Sequence, residues 1–166
     1  MTRKIIVAAS LSLWLLGACT RGTAEFAATR EFPGRIWERT LVPSFDYTAV
    51  SDGAKDFYVY LENTNEYPYS NIYLIVRTDK NGKLFADTLE YEMTDGRGRW
   101  LGTKVRNAYE NLLVFKWNVP VRKGDSLHFE IEQATRRNDR TEGDERLPGV
   151  QRIGIVVKPH EEKQDE

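Results

Sequence analysis

Phe57-Tyr58-Val59-Tyr60-Leu61-Glu62 decides the fold. Phe57, Val59 and Leu61 alternate with Tyr58, Tyr60 and Glu62. A period of two puts the first set on one face of an extended strand, buried, and leaves the second set wet. The same period recurs along the chain. Ile72, Leu74 and Val76 alternate with Tyr73, Ile75 and Arg77, then run into the turn Asp79-Lys80-Asn81-Gly82. Leu89, Tyr91 and Met93 alternate with Thr88, Glu90 and Glu92 and stop at Asp95-Gly96. Leu113, Phe115, Trp117 and Val119 are expected on one inward face, ahead of Pro120 and the turn Lys123-Gly124-Asp125. Leu127, Phe129 and Ile131 alternate with His128, Glu130 and Glu132, and Ile153, Ile155 and Val157 close the series. An earlier strand is expected at Arg35-Ile36-Trp37-Glu38. Short strands separated by Gly, Asn and Asp turns predict an all-β domain, a single antiparallel β-sandwich of jelly-roll or Ig-like topology. Trp37 and Trp117 lie within strand patterns and are expected in its core. Val105, Ala108 and Leu112 stand at helical spacing, so 104–112 is expected to hold a short helical turn.

Ahead of the sandwich the chain has a different composition. Arg3 and Lys4 precede an apolar run from Ile5 to Leu16, and Leu16-Gly17-Ala18-Cys19 ends it. A charged start, a short apolar stretch and small residues at a cut describe a secretory signal. The run is shorter than the ~20 residues that span a bilayer. A cysteine directly after the small residues makes the stretch a bacterial lipobox, and Cys19 is the only cysteine in the chain. The expected organisation is therefore a lipoprotein signal peptide at 1–18 and a lipidated N-terminus and tether at 19–30. The β-sandwich domain follows at 31–159, with a charged tail at 160–166. Each buried acyl methylene contributes about 0.8 kcal/mol, so several chains on Cys19 would anchor the domain to a membrane permanently.

Composition narrows the function further. Once Cys19 is lipidated no cysteine remains for a disulfide or a thiolate metal site, so the core must hold the fold alone. The net charge is −1, without the basic excess that nucleic-acid binding needs. The eight Tyr, seven Phe and four Trp favour strands over helices.

The search for catalytic chemistry returns little. His160 lies in the charged tail and His128 on the wet face of a strand, and neither belongs to a ligand cluster. No nucleophile elbow, phosphate-cradling glycine loop or zinc-protease helix is present. Asp139, Glu142, Asp144 and Glu145 share one loop and could bind calcium. Arg136, Arg137, Arg140 and Arg146 are interleaved with them, which reads as a solvated, self-neutralising loop. Glu130 and Glu132 share a strand face about 7 Å apart, a spacing open to a glycosidase pair, but alternating glutamates on a wet face are common. The expectation is a protein without enzymatic activity, cofactor or metal. Aromatic rings beside turns are the remaining candidates. Tyr67, Tyr69 and Trp100 could form a contact surface for a protein or a sugar, or could plug the open end of the sandwich.

Several of these segments carry a resemblance. Behind the lipobox come Tyr67-Pro68-Tyr69-Ser70-Asn71-Ile72-Tyr73-Leu74, Asp87-Thr88-Leu89-Glu90-Tyr91 and Gly98-Arg99-Trp100-Leu101-Gly102. Lys123-Gly124, Ile131-Glu132-Gln133, an arginine at Arg136 or Arg137, Leu147-Pro148-Gly149-Val150 and Ile153-Gly154 follow in order. In this order the chain resembles the gliding motility lipoprotein GldH family over its whole mature length. Its 137–146 loop is longer and more charged than that family's pattern. The resemblance implies a lipid-anchored envelope protein needed for surface motility in bacteria that glide, with no established enzymatic activity or ligand.

Two function classes follow. The first is a non-enzymatic accessory component of the gliding machinery, held to the membrane by lipid on Cys19 and docking to other envelope or gliding proteins through Tyr67, Tyr69, Trp100 and Arg137. The alternative is a glycan-binding module presenting Trp100 and neighbouring rings to a polysaccharide. A hydrolase using Glu130 or Glu132 has no recognisable site behind it. Thr20 follows Cys19 where an aspartate would mark inner-membrane retention, and 20–24 lacks an acidic cluster. The expected location is the outer membrane, lipid-anchored on the periplasmic leaflet.

Overall fold

The structure, a computed structural model, describes residues 23–136 and 143–161. Cys19, the 1–18 segment, Arg137 and the end of the charged tail lie outside the described residues. The strands are β1 (Phe26–Glu31), β2 (Ile36–Glu38), β3 (Ser44–Thr48), β4 (Gly53–Asn63), β5 (Asn71–Lys80) and β6 (Lys83–Glu92). They continue with β7 (Thr103–Val105), β8 (Ala108–Val121), β9 (Ser126–Gln133), β10 (Arg146–Pro148) and β11 (Val150–Pro159). One sheet runs β1-β11-β4-β8-β7, a second runs β3-β9-β5-β6, and β2 pairs with β10 as a short ribbon. Every pairing is antiparallel.

The pairing is nested. β1 lies beside β11, β3 beside β9, β4 beside β8, and β5 turns directly into β6. Apart from that hairpin, each step between these strands crosses from one sheet to the other. A long hairpin rolled over itself in this way is a jelly roll, the first of the two topologies expected from the sequence. Phe57, Val59 and Leu61 face Ile72, Leu74, Val76, Phe129 and Ile131 across the interior, with Ile153, Ile155 and Val157 beside them. The period-two reading of β4, β5, β9 and β11 therefore holds.

Trp37 is fully buried, stacked on Phe32 at 5.0 Å and donating from Nε1 to Leu41 O at 2.8 Å. Trp117, expected beside it in the core, is on the surface. The cause is a pair of bulges in β8, where the register with β4 shifts between Lys55 and Phe57 and again between Phe57 and Tyr58. Trp117 and Asn118 together stand opposite Asp56, and the Asp56 carboxylate accepts the Asn118 N–H at 2.8 Å. A bulge re-aims the side chains around it. Here it turns the indole out and brings Lys116 onto the inward rung of Phe57.

Two further expectations change. Residues 26–30, placed in the tether from the sequence, belong to β1, which pairs with β11 along its whole length. Its small residues turn only Phe26 and Ala28 towards the core. The stretch 104–112 is extended: β7 and β8 form a hairpin whose tip places Arg106 at φ 55°. Val105, at the helix-like spacing, is exposed.

Candidate functional site

The outer face of the five-stranded sheet carries the chemistry. Antiparallel register lines up Glu31, Arg152, Glu62 and Glu110 across β1, β11, β4 and β8. Arg152 lies 3.2 Å from Glu62 and 3.4 Å from Glu31. Tyr60 donates its hydroxyl to Glu110 at 2.9 Å, and burial together with that carboxylate holds the phenol well above its usual range. Arg152 is partly desolvated, which works against its charge, but Glu62 and Glu31 hold the cation more firmly than usual. A cleft of about 880 Å³ opens over this rung, between the turn Pro33–Arg35 and the β7–β8 tip at Arg106 and Asn107. Glu31, Glu62 and Glu110 are met there by Arg152 and, at the margins, by Arg35 and Arg106, so the cleft is mixed in charge.

Further along the same face the character changes. The next rungs carry Tyr60 beside Leu112, then Val156, Tyr58 and Val114. Leu112 is 41% exposed, Val114 50% and Trp117 52%. Alternation should make this face polar, so a run of exposed apolar side chains beside two tyrosines departs from what solubility needs. Lys158 caps the Tyr58 ring at 5.5 Å. His160, expected in the charged tail, packs its ring edge-on to Trp117 at 5.0 Å and meets buried Asp56 at 2.8 Å.

The residues chosen from the sequence gather elsewhere. Tyr67, Tyr69 and Trp100 converge at one end of the sandwich, with ring centroids 5.9 and 6.2 Å apart along the chain of contacts, and Trp100 continues to Tyr109 at 5.6 Å. Tyr67 is only 3% exposed and donates to Asn71 O at 2.7 Å. Burial pushes its hydroxyl far above the ordinary tyrosine range. Tyr69 donates to Asp144, and the half-buried Trp100 uses its N–H on Asn65 at 2.8 Å. Tyr67 is thus core rather than contact surface, and the cluster plugs the end of the sandwich. Gly149 shows how tightly: its φ is +79°, and a Cβ there would lie 2.1 Å from the Tyr67 nitrogen. Glu132 pairs with Arg77 at 2.8 Å on the outer face of the other sheet, and His128 pairs with Asp46 at 2.7 Å.

A second feature escaped the sequence reading. At the opposite end the sheets leave a slot of about 270 Å³ between β5, β6 and β8, reaching buried Phe57, Leu127 and Phe129. Thr78 lines it from an inward position of β5, 3% exposed, with its hydroxyl unpaired. The available signal was a threonine continuing the apolar series Ile72, Leu74, Val76.

The GldH lipoprotein family model matches residues 24–157. The "Gliding motility lipoprotein GldH homolog" of Christiangramia forsetii is 32% identical over 74% of this chain and 76% of its own. The gliding motility lipoprotein GldH of Flavobacterium johnsoniae is 30% identical over 75% of this chain and 79% of its own. Among solved structures, the VP2 subviral particle of infectious bursal disease virus aligns with 93% of this chain and 38% of that one, at 14% identity and a TM-score of 0.36. The chain spans little more than a third of the length of that protein. The fold assignment rests on the strand order described above. With a family model matching residues 24–157 and relatives aligned over three-quarters of their length, the chain belongs to the GldH lipoprotein family.

Proposed function

We propose that this protein is a non-catalytic accessory of the gliding machinery, lipid-anchored through Cys19 and docking to another envelope protein through the outer face of its five-stranded sheet. One observation carries the docking surface: Leu112, Val114 and Trp117 stand exposed beside Tyr58 and Tyr60, with a charged rung at one side. An apolar centre rich in aromatics with a polar rim is the anatomy of a protein interface. The mixed charges of the rung and its margins favour a partner whose matching edge carries both signs. Membrane anchoring concentrates the domain where such a partner sits. The location we infer is the outer membrane, on the periplasmic leaflet.

A photo-crosslinking residue placed at Val114 in the full-length protein in living cells tests this. Envelope proteins should be captured there and not from Arg77 on the opposite sheet. Equal capture from both faces, or none from Val114, would remove the docking face. Cys19→Ala should abolish acyl labelling and release the domain from the membrane; a protein that stayed bound without label would remove the anchor.

A second reading has its own observation. The 880 Å³ cleft lies in the size range of small-ligand sites, and its carboxylates, Arg35, Arg106, Arg152 and Thr64 offer the donors and acceptors that a hydroxyl-rich glycan needs. It replaces Trp100, whose indole is committed to the end cluster, as the place for a polysaccharide. Loss of retention on a polysaccharide column in Glu62→Gln, with the fold intact, would favour it over protein docking.

A further inference from the structure

The slot between the sheets is built differently from the rest of the interior. Its walls are apolar: Phe57, Val119, Leu127 and Phe129, with Phe85 and Pro120 towards the outside. Lys80 and Lys116 also line it. Both cations are tied sideways, Lys80 to Pro120 O at 2.9 Å and Lys116 to Asp87 at 2.9 Å, so they frame the slot rather than fill it. The space has an identifiable origin. Unbroken alternation in β8 would have put Trp117 between Phe115 and Val119, and the two bulges eject it. Interiors are otherwise packed to crystal density, so a void of this size is a departure.

Thr78 makes the departure chemical. Its hydroxyl is buried with no hydrogen-bond partner, and an unsatisfied buried hydroxyl costs free energy that a ligand acceptor would recover. The complement of the slot's walls is an aliphatic chain, and an oxygen acceptor on that chain would meet Thr78 once the packing over its hydroxyl opens.

The slot also lies near the end at which the chain enters the domain. Phe26, Val157, Phe57 and Lys116 share one rung, so β1 begins level with the slot. Three strand spacings, roughly 14 Å, separate β1 from β8. Cys19 precedes Phe26 by seven residues, which reach at most about 25 Å. We infer that the inter-sheet slot around Thr78 is a binding site for a fatty-acyl chain, either the protein's own or one from the membrane beside it. The slot and its hydroxyl stand independently of the anchor; only its placement beside a membrane rests on the proposed lipid at Cys19.

Cells expressing the full-length protein and fed a diazirine-bearing fatty acid provide the test. After irradiation, adducts are mapped by mass on the isolated protein. Adducts are expected on peptides carrying Thr78, Phe85 or Lys116. Linkage to the Cys19 peptide identifies the protein's own chain, and a phospholipid or free-acid mass identifies the membrane. Val119→Trp, which refills the slot, should remove these adducts. Thr78→Val keeps the shape and should lower them roughly three- to tenfold, the worth of one hydrogen bond. No adduct on slot peptides, or adducts undiminished in both variants, would overturn the site. The same data report on the anchor separately: an N-terminal peptide without lipid mass would refute lipidation while leaving slot adducts interpretable.

Discussion

The two ends of the sandwich are held by different forces. At the end where Tyr67, Trp100 and Gly149 meet, aromatic rings interlock, polar atoms are paired, and backbone approaches backbone too closely for a methyl group. At the other end the sheets part around a slot, and charges hold the margins. Lys55, almost wholly buried, pairs with Glu25 and donates to Ser51 at 3.0 Å. Asp56 binds His160 and the bulged Asn118, and Asp87 binds Lys116. Several segments that carry the resemblance, Tyr67-Pro68-Tyr69, Gly98-Arg99-Trp100-Leu101-Gly102 and Leu147-Pro148-Gly149-Val150, sit at the first end, where they secure packing. The features free to meet another molecule sit on the outer face and at the second end. A strong sequence motif here marks what the fold requires, and breaks in the strand pattern mark what it leaves available.

The largest effect should come from the packed end. Gly149→Ala combines a left-handed backbone with a clash against Tyr67, so a loss of about 3–4 kcal/mol is expected in urea unfolding. A loss under about 1 kcal/mol would mean that the close approach relaxes easily and the two ends are not so different.

The charged end should break next, and through pH. Burial alone would raise the Glu25 carboxyl, but the Lys55 ammonium and the Tyr47 hydroxyl hold it below its ordinary range. A depressed carboxyl pKa stabilises the fold above the unfolded value, and that contribution is lost as pH falls through the folded one. Acidification into and below the normal carboxylate range should therefore open the slot end first, seen as hydrogen exchange rising in β1 and at the start of β4. Glu25→Gln should flatten this acid dependence and cost about 3 kcal/mol at neutral pH, because Lys55 loses its anion. An acid transition in which both ends exchange together would erase the contrast. Smaller again is Thr78→Val, which removes an unpaired hydroxyl and should be neutral or stabilising by up to about 1 kcal/mol in the unliganded protein.

Legibility in the sequence follows the same division. β5 and β9 were readable because each alternates between turns, and β4 and β11 because the period of two is clear at Phe57, Val59 and Leu61 and at Ile153, Ile155 and Val157. β1 was not: its residues are small and polar, and it is a strand only because β11, from the far end of the chain, supplies its partners. β8 misled because periodicity assumes continuous pairing, and its bulges are pinned by Asp56 on another strand. The turn aromatics left two readings open, contact surface or plug, because a turn residue carries no period to tell its inner side from its outer; the β10–β11 corner at Gly149 closes over Tyr67. The outer face left a trace in the run Leu112-Leu113-Val114-Phe115, apolar on both sides of a strand that needs only one side buried.

Trp117 gives the smallest expected effect on stability and a sharp test of the contrast. If its indole is surface turned out by the bulge, Trp117→Ser should change unfolding free energy by no more than about 0.5 kcal/mol. The same variant should still reduce partner capture at Val114, since an exposed tryptophan is the residue type that most often dominates an interface. A loss above about 1 kcal/mol would point elsewhere. The indole would then serve the fold by shielding the His160–Asp56 contact that fixes the bulge, and the slot beneath would depend on it. In that case Asp56→Asn should reproduce the loss, and the double variant should lose less than the sum, because both substitutions act on one contact.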